Sequence, residues 1–353
     1  MPTKFAISAR IAVVVLIAAV CAPGVETISL EVAAIAARAE QEPADATLPP
    51  AEYGFGLTED EAAEGWISLF DGQSDFGWQA ARIENGRLSG GTTTSRFGSY
   101  ELRAELGAAG TIRLGDEPVQ VKRGRLAIRH AGTPGSIRLD QHMAVTSLVI
   151  RPLDMKVILD GRDLSAWRRV DRPGSPAAGQ PEWRIEPGGL RAVGGPGALE
   201  YTGRPFDDFV LQIEARTLKP HANGGLFFRS QPGLFMMGYE AQIYNRCEAG
   251  DPARPWRYST GAIDDRQLAR RLVSRDGETF VMTVLADGPH VATWVNGYQT
   301  TDWTDDRPPH DNPREGLRLA AGTIQLQAHD RQTDLIFKRI SVAPLGQEAD
   351  TPD

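Results

Sequence analysis

Thiol chemistry is nearly absent from this 353-residue chain, which has only Cys21 and Cys247. Two cysteines that far apart exclude a cysteine-rich metal module and a disulfide-stapled miniature fold. Aromatic residues make up only 7%. No apolar run reaches the roughly 20 residues needed to span a bilayer as a helix. No Lys/Arg cluster interrupts a formal charge of −8, which argues against nucleic acid and anionic membrane surfaces as partners. A Ser-His-Asp order, a His-Glu-x-x-His run and a phosphate-type glycine loop are all missing. Helix-period patterning is scarce, whereas 37 glycines and 24 prolines suit a turn-rich β-protein.

What is present begins with an export signature. Lys4 and Arg10 precede the apolar run Ile11 to Val20, and Ala37-Arg38-Ala39 is a small-x-small cleavage site, with Ala22 as a competing point. Residues 1–39 therefore read as a signal peptide or an N-terminal anchor, placing the chain in the periplasm or outside the cell. Val20, just before Cys21, is larger than a lipoprotein signal prefers. Cleavage after Ala39 leaves Cys247 alone, so no intramolecular disulfide is expected, and the formal charge moves from −8 to −9 through loss of Lys4, Arg10, Arg38, Glu26 and Glu31. The fold must then rest on its core.

An internal repeat organises the rest. Asp71-Gly72 leads to Trp78, and Asp160-Gly161 leads to Trp167 at the same spacing. Arg82-Ile83-Glu84 to Leu88 matches Arg184-Ile185-Glu186 to Leu190. The strand-like Tyr100–Glu105 matches Phe209–Glu214, and each copy closes on Pro-Leu, at Pro152-Leu153 and Pro344-Leu345. From Arg-Ile-Glu to Pro-Leu takes 71 residues in the first copy and 161 in the second, so the first reads as a truncated repeat of the two ends. This gives a linker at 40–64, a short accessory β-domain at 65–152, a full domain at 153–346 and a polar tail at 347–353.

Within the second copy, period-two alternation marks strands. Glu240, Gln242 and Tyr244 point one way and Tyr239, Ala241 and Ile243 the other. Gln325, Gln327 and His329 oppose Ile324, Leu326 and Ala328. Phe280 to Leu285 alternates too, with Thr283 as the single polar group on its second face. Asn296-Gly297 after Val291–Val295 is a type I′ hairpin signal. The pattern predicts an all-β, antiparallel two-sheet sandwich. Glu, Gln, Tyr and His side chains that both donate and accept suit sugar hydroxyls, although a plain solvated sheet face would also carry polar residues.

The second copy resembles the 3-keto-disaccharide hydrolase family. The resemblance rests on Leu159-Asp160-Gly161…Trp167, Trp183-Arg184-Ile185, Asn223-Gly224-Gly225-Leu226-Phe227-Phe228-Arg229 and Gly238-Tyr239-Glu240-Ala241-Gln242-Ile243. It continues through Thr260-Gly261-Ala262-Ile263, Trp294-Val295-Asn296-Gly297, Gly322-Thr323-Ile324-Gln325-Leu326-Gln327 and Phe337-Lys338-Arg339-Ile340. It implies a concanavalin A-like jelly roll over 153–346, preceded by a smaller β-domain that repeats its ends. The chain departs from the family pattern at Tyr244-Asn245, where an Asp is usual, at Asp264, where a Tyr is usual, and at Glu278-Thr279-Phe280, where Glu-Trp-Asn is usual.

The resemblance implies a carbohydrate partner and substrates oxidised to a ketone at C3. The ketone acidifies the C2 hydrogen, so a base can remove it, the C1 oxygen can leave, and water can add back for a net hydrolysis. Such a site needs a base, a group for the enolate oxygen and an acid for the leaving group. Glu240 is the candidate base or metal ligand, His329 a second acid/base or ligand, and Arg229 the donor fork for the enolate or a hydroxyl pair. Asn223, Gln242, Tyr244, Gln327 and Trp256 are candidate substrate contacts. His310 in its proline-rich loop and Trp303 are weaker ones, and the Asp302/Asp305/Asp306 group reads as a solvated turn, with a calcium site as the alternative. No cofactor is assigned, although a divalent cation could take the enolate role. The alternative is a non-catalytic glycan-binding or cell-surface module on the same sandwich. A conventional glycosidase needs two carboxylates across a cleft, and only Glu240 is an evident one.

Overall fold

The computed structural model describes residues 50–174 and 179–346. The signal or anchor at 1–39, residues 40–49 of the linker and the tail at 347–353 lie outside the described residues. Among the described residues no helix is long and apolar enough to cross a membrane. Within the linker stretch, residues 50–64 are fastened to the second copy. Glu52 pairs with Arg271 at 2.6 Å, and the Gly54 N–H donates to the Asn296 carbonyl. Helix α1 (Glu59–Ala63) starts in a reciprocal capping box between Thr58 and Glu61.

The first copy contains β1 (Ile67–Ser68), β2 (Trp78–Gln79), β3 (Arg82–Glu84), β4 (Arg87–Ser89) and β5 (Thr92–Thr93). It continues with β6 (Tyr100–Leu106), β7 (Gly110–Leu114), β8 (Glu117–Val121), β9 (Gly124–His130), β10 (Ile137–Leu139) and β11 (Val145–Pro152). The second contains β12 (Lys156–Leu159), β13 (Trp167–Asp171), β14 (Glu182–Glu186), β15 (Gly189–Val193), β16 (Gly197–Tyr201) and β17 (Phe209–Thr217). Then come β18 (Gly224–Ser230), β19 (Tyr239–Ile243), β20 (Thr279–Asp287), β21 (His290–Val295), β22 (Tyr298–Thr304), β23 (Thr323–Ala328) and β24 (Asp334–Pro344).

All described pairings between these strands are antiparallel, and each copy forms two sheets. The first copy has β3-β4-β11-β6-β9, with β1 also on β11, and β2-β5-β10-β7-β8. The second has β14-β15-β24-β17-β20-β21-β22, with β12 also on β24, and β13-β16-β23-β18-β19. The strand orders correspond one for one, and among the described residues the strands that the second copy adds are the hairpin β21–β22. The reading that the first copy keeps just the two ends is therefore corrected. It keeps the whole ladder, and the length difference lies in that hairpin and in long loops. The repeated tryptophans confirm the equivalence: Trp78 and Trp167 each donate their indole N–H to the carbonyl nine residues earlier, Leu69 and Ile158. Asn296 and Gly297 turn the β21–β22 hairpin at φ 48° and 75°, the left-handed pair that a type I′ turn requires.

Two hydrophobic cores result. One lies between the sheets of the second copy and takes Leu226 and Phe228 from β18, Ala241 and Ile243 from β19, and Ile324 and Leu326 from β23. The other fills the first copy and is completed by Val210, Leu285, Ala292 and Trp294 from the outer face of the larger sheet. This explains why Phe280–Leu285 has so little polarity on its second face: that face is covered by the first copy. Trp294 is buried there and donates its indole N–H to the Ser68 carbonyl at 3.1 Å.

Candidate functional site

The five-stranded sheet of the second copy turns its other face away from the core, and strand register sorts that face into rows. One row runs Arg168–Glu200–Gln325–Phe227–Glu240 from β13 to β19. The next runs Ala198–Gln327–Gly225–Gln242. The alternation read from sequence places Glu240, Gln242, Gln325 and Gln327 together, but the face is not solvated. All four are buried, Glu240 at 2% exposure.

Three chain segments cover the face. The loop 231–238 lies over its centre, where the Gln325 Nε2 donates to Leu234 O at 2.9 Å and to Glu200 Oε2 at 2.8 Å, and the Gly233 N–H reaches Glu200 Oε2 at 2.8 Å. The segment 261–264 runs beside β19 as an added edge: the Gln242 N–H donates to Ala262 O and the Asp264 N–H to Glu240 O, both at 3.0 Å. That pairing sets Asp264 directly across from Glu240, extending the first row by one residue. The loop after β22 brings in Arg314, whose side chain is 28% exposed. Its Nη2 lies 2.7 Å from Asp264 Oδ2 and its Nη1 3.4 Å from Glu240 Oε2.

Glu240 therefore has one oxygen near a guanidinium and one with no partner. Its Oε1 is buried and unpaired, as are Gln325 Oε1 and Gln327 Oε1 on the same face. An unmet buried acceptor costs roughly 1–3 kcal/mol, so three on one face point to donors supplied from outside the chain. Gly225 makes room for this arrangement, since a Cβ there would collide with Glu240 Oε1. Burial, followed by the negative charge of Asp264, pushes the Glu240 carboxyl up to about 8, against the opposing pull of Arg314. The Arg314 guanidinium is penalised by its own burial, yet the Glu240 and Asp264 carboxylates more than compensate and hold its pKa above the ordinary value.

The remaining sequence candidates divide. His329, Asn223 and Tyr244 share the same side of the sheet but belong to a row two steps further on, beyond the Ala328–Gly224–Ile243 register. At about 6.7 Å per row and 4.8 Å per strand, His329 and Glu240 are roughly 16 Å apart. The His329 side chain is 43% exposed and pairs with Asp330 at 2.8 Å. Tyr244 accepts from Arg246 at 3.2 Å, and Arg246 lies 4.5 Å over the Trp256 ring, so Trp256 belongs to this far end as well. On this spacing Glu240 and His329 stand at opposite ends of the face. Arg229 is a clear correction. Its φ of 48° interrupts the alternation of β18 at a register shift, and the guanidinium is wholly buried. It donates to the carbonyls of Asp207, Gly288 and Arg318 and pairs with Asp208 at 2.7 Å, which leaves no fork for a substrate.

Asp302 and Asp305 are not a solvated turn either. Asp302 accepts from Thr94 at 2.8 Å, and buried Asp305 holds both Arg307 and the Tyr239 hydroxyl at 2.8 Å. Trp303 packs edge-on against Tyr239, and His310 lies exposed beside Glu315. Among the described residues no three His, Cys, Asp or Glu side chains gather, and Arg314 contacts both Glu240 and Asp264.

Sequence reasoning missed Arg314 and did not place Asp264 at the site. Arg314 sits in an aperiodic loop and left no signal. Asp264 did leave one, as the departure from a tyrosine after Thr-Gly-Ala-Ile. The first copy offers a comparison. Its equivalent row, also starting one residue after the repeated tryptophan, reads Gln79–Thr92–Arg138–Arg113–Pro118. Proline stands where the second copy has Glu240.

Comparison with known proteins follows the same division. A family described as the 3-keto-alpha-glucoside-1,2-lyase-like domain matches residues 154–343. No curated protein matches the chain. Similar solved structures include two from Parabacteroides distasonis, each described as a "putative glycosyl hydrolase". One is 18% identical, covers 54% of this chain and 93% of its own and has a TM-score of 0.41; the other is 20% identical and covers 54% and 100%, again at 0.41. A carbohydrate binding module from Bacillus subtilis is 13% identical, covers 54% and 96% and has a TM-score of 0.36. With its family match spanning more than half of the sequence and lying on the two-sheet β-sandwich of the second copy, this chain belongs to the 3-keto-alpha-glucoside-1,2-lyase-like domain family.

Proposed function

We propose that this chain is an exported carbohydrate-active enzyme that cleaves glycosidic bonds of 3-keto-glycosides, with Glu240 as its base. One observation supports this above the others: a buried carboxyl with an unpartnered oxygen, poised near neutrality, next to a partly exposed guanidinium. Glu240 as carboxylate takes the C2 proton, and the C–H electron pair moves into the C3 carbonyl to give an enolate. Arg314, in the role first assigned to Arg229, donates to the enolate oxygen. As the C3 carbonyl re-forms, the C1–C2 double bond is made and the C1–O bond breaks. The leaving oxygen takes the proton that Glu240 carries. Water then adds its hydroxyl to C1 and a proton to C2, so the sum is hydrolysis. A base whose pKa lies near the working pH is suited to removing and returning the same proton. Gln325 and Gln327 offer acceptors to sugar hydroxyls. The far row of His329, Asn223 and Tyr244, with Trp256 nearby, fits contacts to the remainder of a disaccharide.

The test is incubation of the full chain with 3-keto and unmodified disaccharides. Monosaccharide release from the keto form alone, abolished in Glu240→Gln, supports the proposal. Binding of either sugar without turnover replaces it with a glycan-binding module on the same fold.

A further inference from the structure

The position that departs from the family pattern is the one the fold sets opposite the base. Asp264 and Glu240 are cross-strand neighbours on one face, both buried, their carboxyls close enough to share a hydrogen bond, and one guanidinium contacts both. Arg314 is not shared equally. It makes a 2.7 Å pair with Asp264 and only a long 3.4 Å contact with Glu240. A guanidinium that has a close carboxylate partner is held in place without neutralising the second carboxyl. We propose that Asp264 is a positioning residue: it anchors Arg314 and so leaves Glu240 as a carboxyl that exchanges a proton.

This deepens the proposed reaction and rests on it for the chemical meaning of the exchange, though the electrostatic claim stands on the geometry alone. The charged groups facing Glu240 are Asp264, from the segment beside β19, and Arg314, from the loop after β22. The other elements packed against it contribute uncharged Gly225 and Phe227 from β18 and Gln242 from β19. Beyond this pair, Asp265 adds to the field on Arg314. Removing the Asp264 charge both deletes a repulsion and releases Arg314 toward Glu240, so the Glu240 titration moves down. Removing Arg314 deletes an attraction, so it moves up. The two substitutions act in opposite directions, a pattern that a merely structural pair does not produce.

The experiment is a carboxyl titration of the full chain carrying glutamate labelled with carbon-13 at Cδ, with the Glu240 resonance assigned by its loss in Glu240→Gln. Asp264→Asn should lower the Glu240 midpoint by at least about one pH unit, a tenfold change in its proton affinity. Asp264→Glu should keep the wild-type direction, and Arg314→Gln should raise the midpoint. An unchanged midpoint in Asp264→Asn, or a shift of the same sign in both variants, overturns the proposal. Should Asp264→Asn fail to fold, Arg314→Gln decides alone, since a midpoint that stays or falls there is equally fatal. In turnover of a 3-keto disaccharide, the acidic limb of kcat/KM should move with each midpoint. A chain that cleaves no such sugar defeats the proposed reaction while the titration still judges the role of Asp264.

Discussion

Replacing Glu240 with Gln should make the protein more stable in alkali, and the amount follows from the site. In the folded chain the carboxyl titrates near 8, whereas an unperturbed glutamate titrates near 4.5. Between those values the native state holds a proton that the unfolded chain has released, so stability falls as pH rises. It is complete below the unfolded value and lost by the time the folded one is passed. At about 1.4 kcal/mol per pH unit, the span amounts to roughly 5 kcal/mol for a group this deeply buried. Glutamine keeps the shape and removes the titration. Urea unfolding of both proteins at pH 5 and pH 9 measures the difference directly. The wild type should lose several kcal/mol more than Glu240→Gln across that interval. At about 2 °C per kcal/mol for a chain of this size, the gap is readable as nearly 10 °C in Tm. Equal pH dependence in the two proteins would refute the account of Glu240 as a carboxyl held protonated by burial and Asp264.

Three further outcomes follow from the packing. Trp294→Ala should cost about 3–5 kcal/mol, the loss for a large buried side chain, because it opens the core that the two sandwiches share; denaturant unfolding that shows less than about 1 kcal/mol would be inconsistent with that shared core. Arg229→Met should cost about 1–3 kcal/mol or more by leaving three carbonyls without their donor and Asp208 with only the Gly288 N–H. If it instead spares stability and abolishes turnover, Arg229 returns to the site. His329→Ala should weaken sugar binding while keeping kcat within about threefold, since a residue so far from Glu240 contributes to KM and not to the proton transfer; a collapse of kcat would place it at the bond.

The sequence carried most of the scaffold and half of the site. Period-two alternation is a local property, so it located β19 and β23 and put Glu240, Gln242, Gln325 and Gln327 on one side. The Asn296-Gly297 turn was equally legible. Distance along a strand is not encoded in alternation, which is why His329 and Tyr244 shared a face with Glu240 in the sequence reading and lie rows away in the fold. Arg229 was misread because one left-handed residue at a register shift inverts the pattern, and no side-chain periodicity announces that. Arg314 depends on a loop folding back over the sheet, a long-range event with no local signature. The near-apolar second face of Phe280–Leu285 was a signal that something covers it, and the first copy is what does.

The equivalence of the two five-stranded sheets gives this chain a built-in blank. Both ladders are present at the same concentration in the same solvent, yet the first carries Pro118 where the second carries Glu240. A ligand response at both sheets reports the ladder itself, and a response confined to the second reports its side chains. Substitutions at Thr92, Arg138 and Arg113 thereby serve as matched controls for those at Glu200, Gln325 and Phe227.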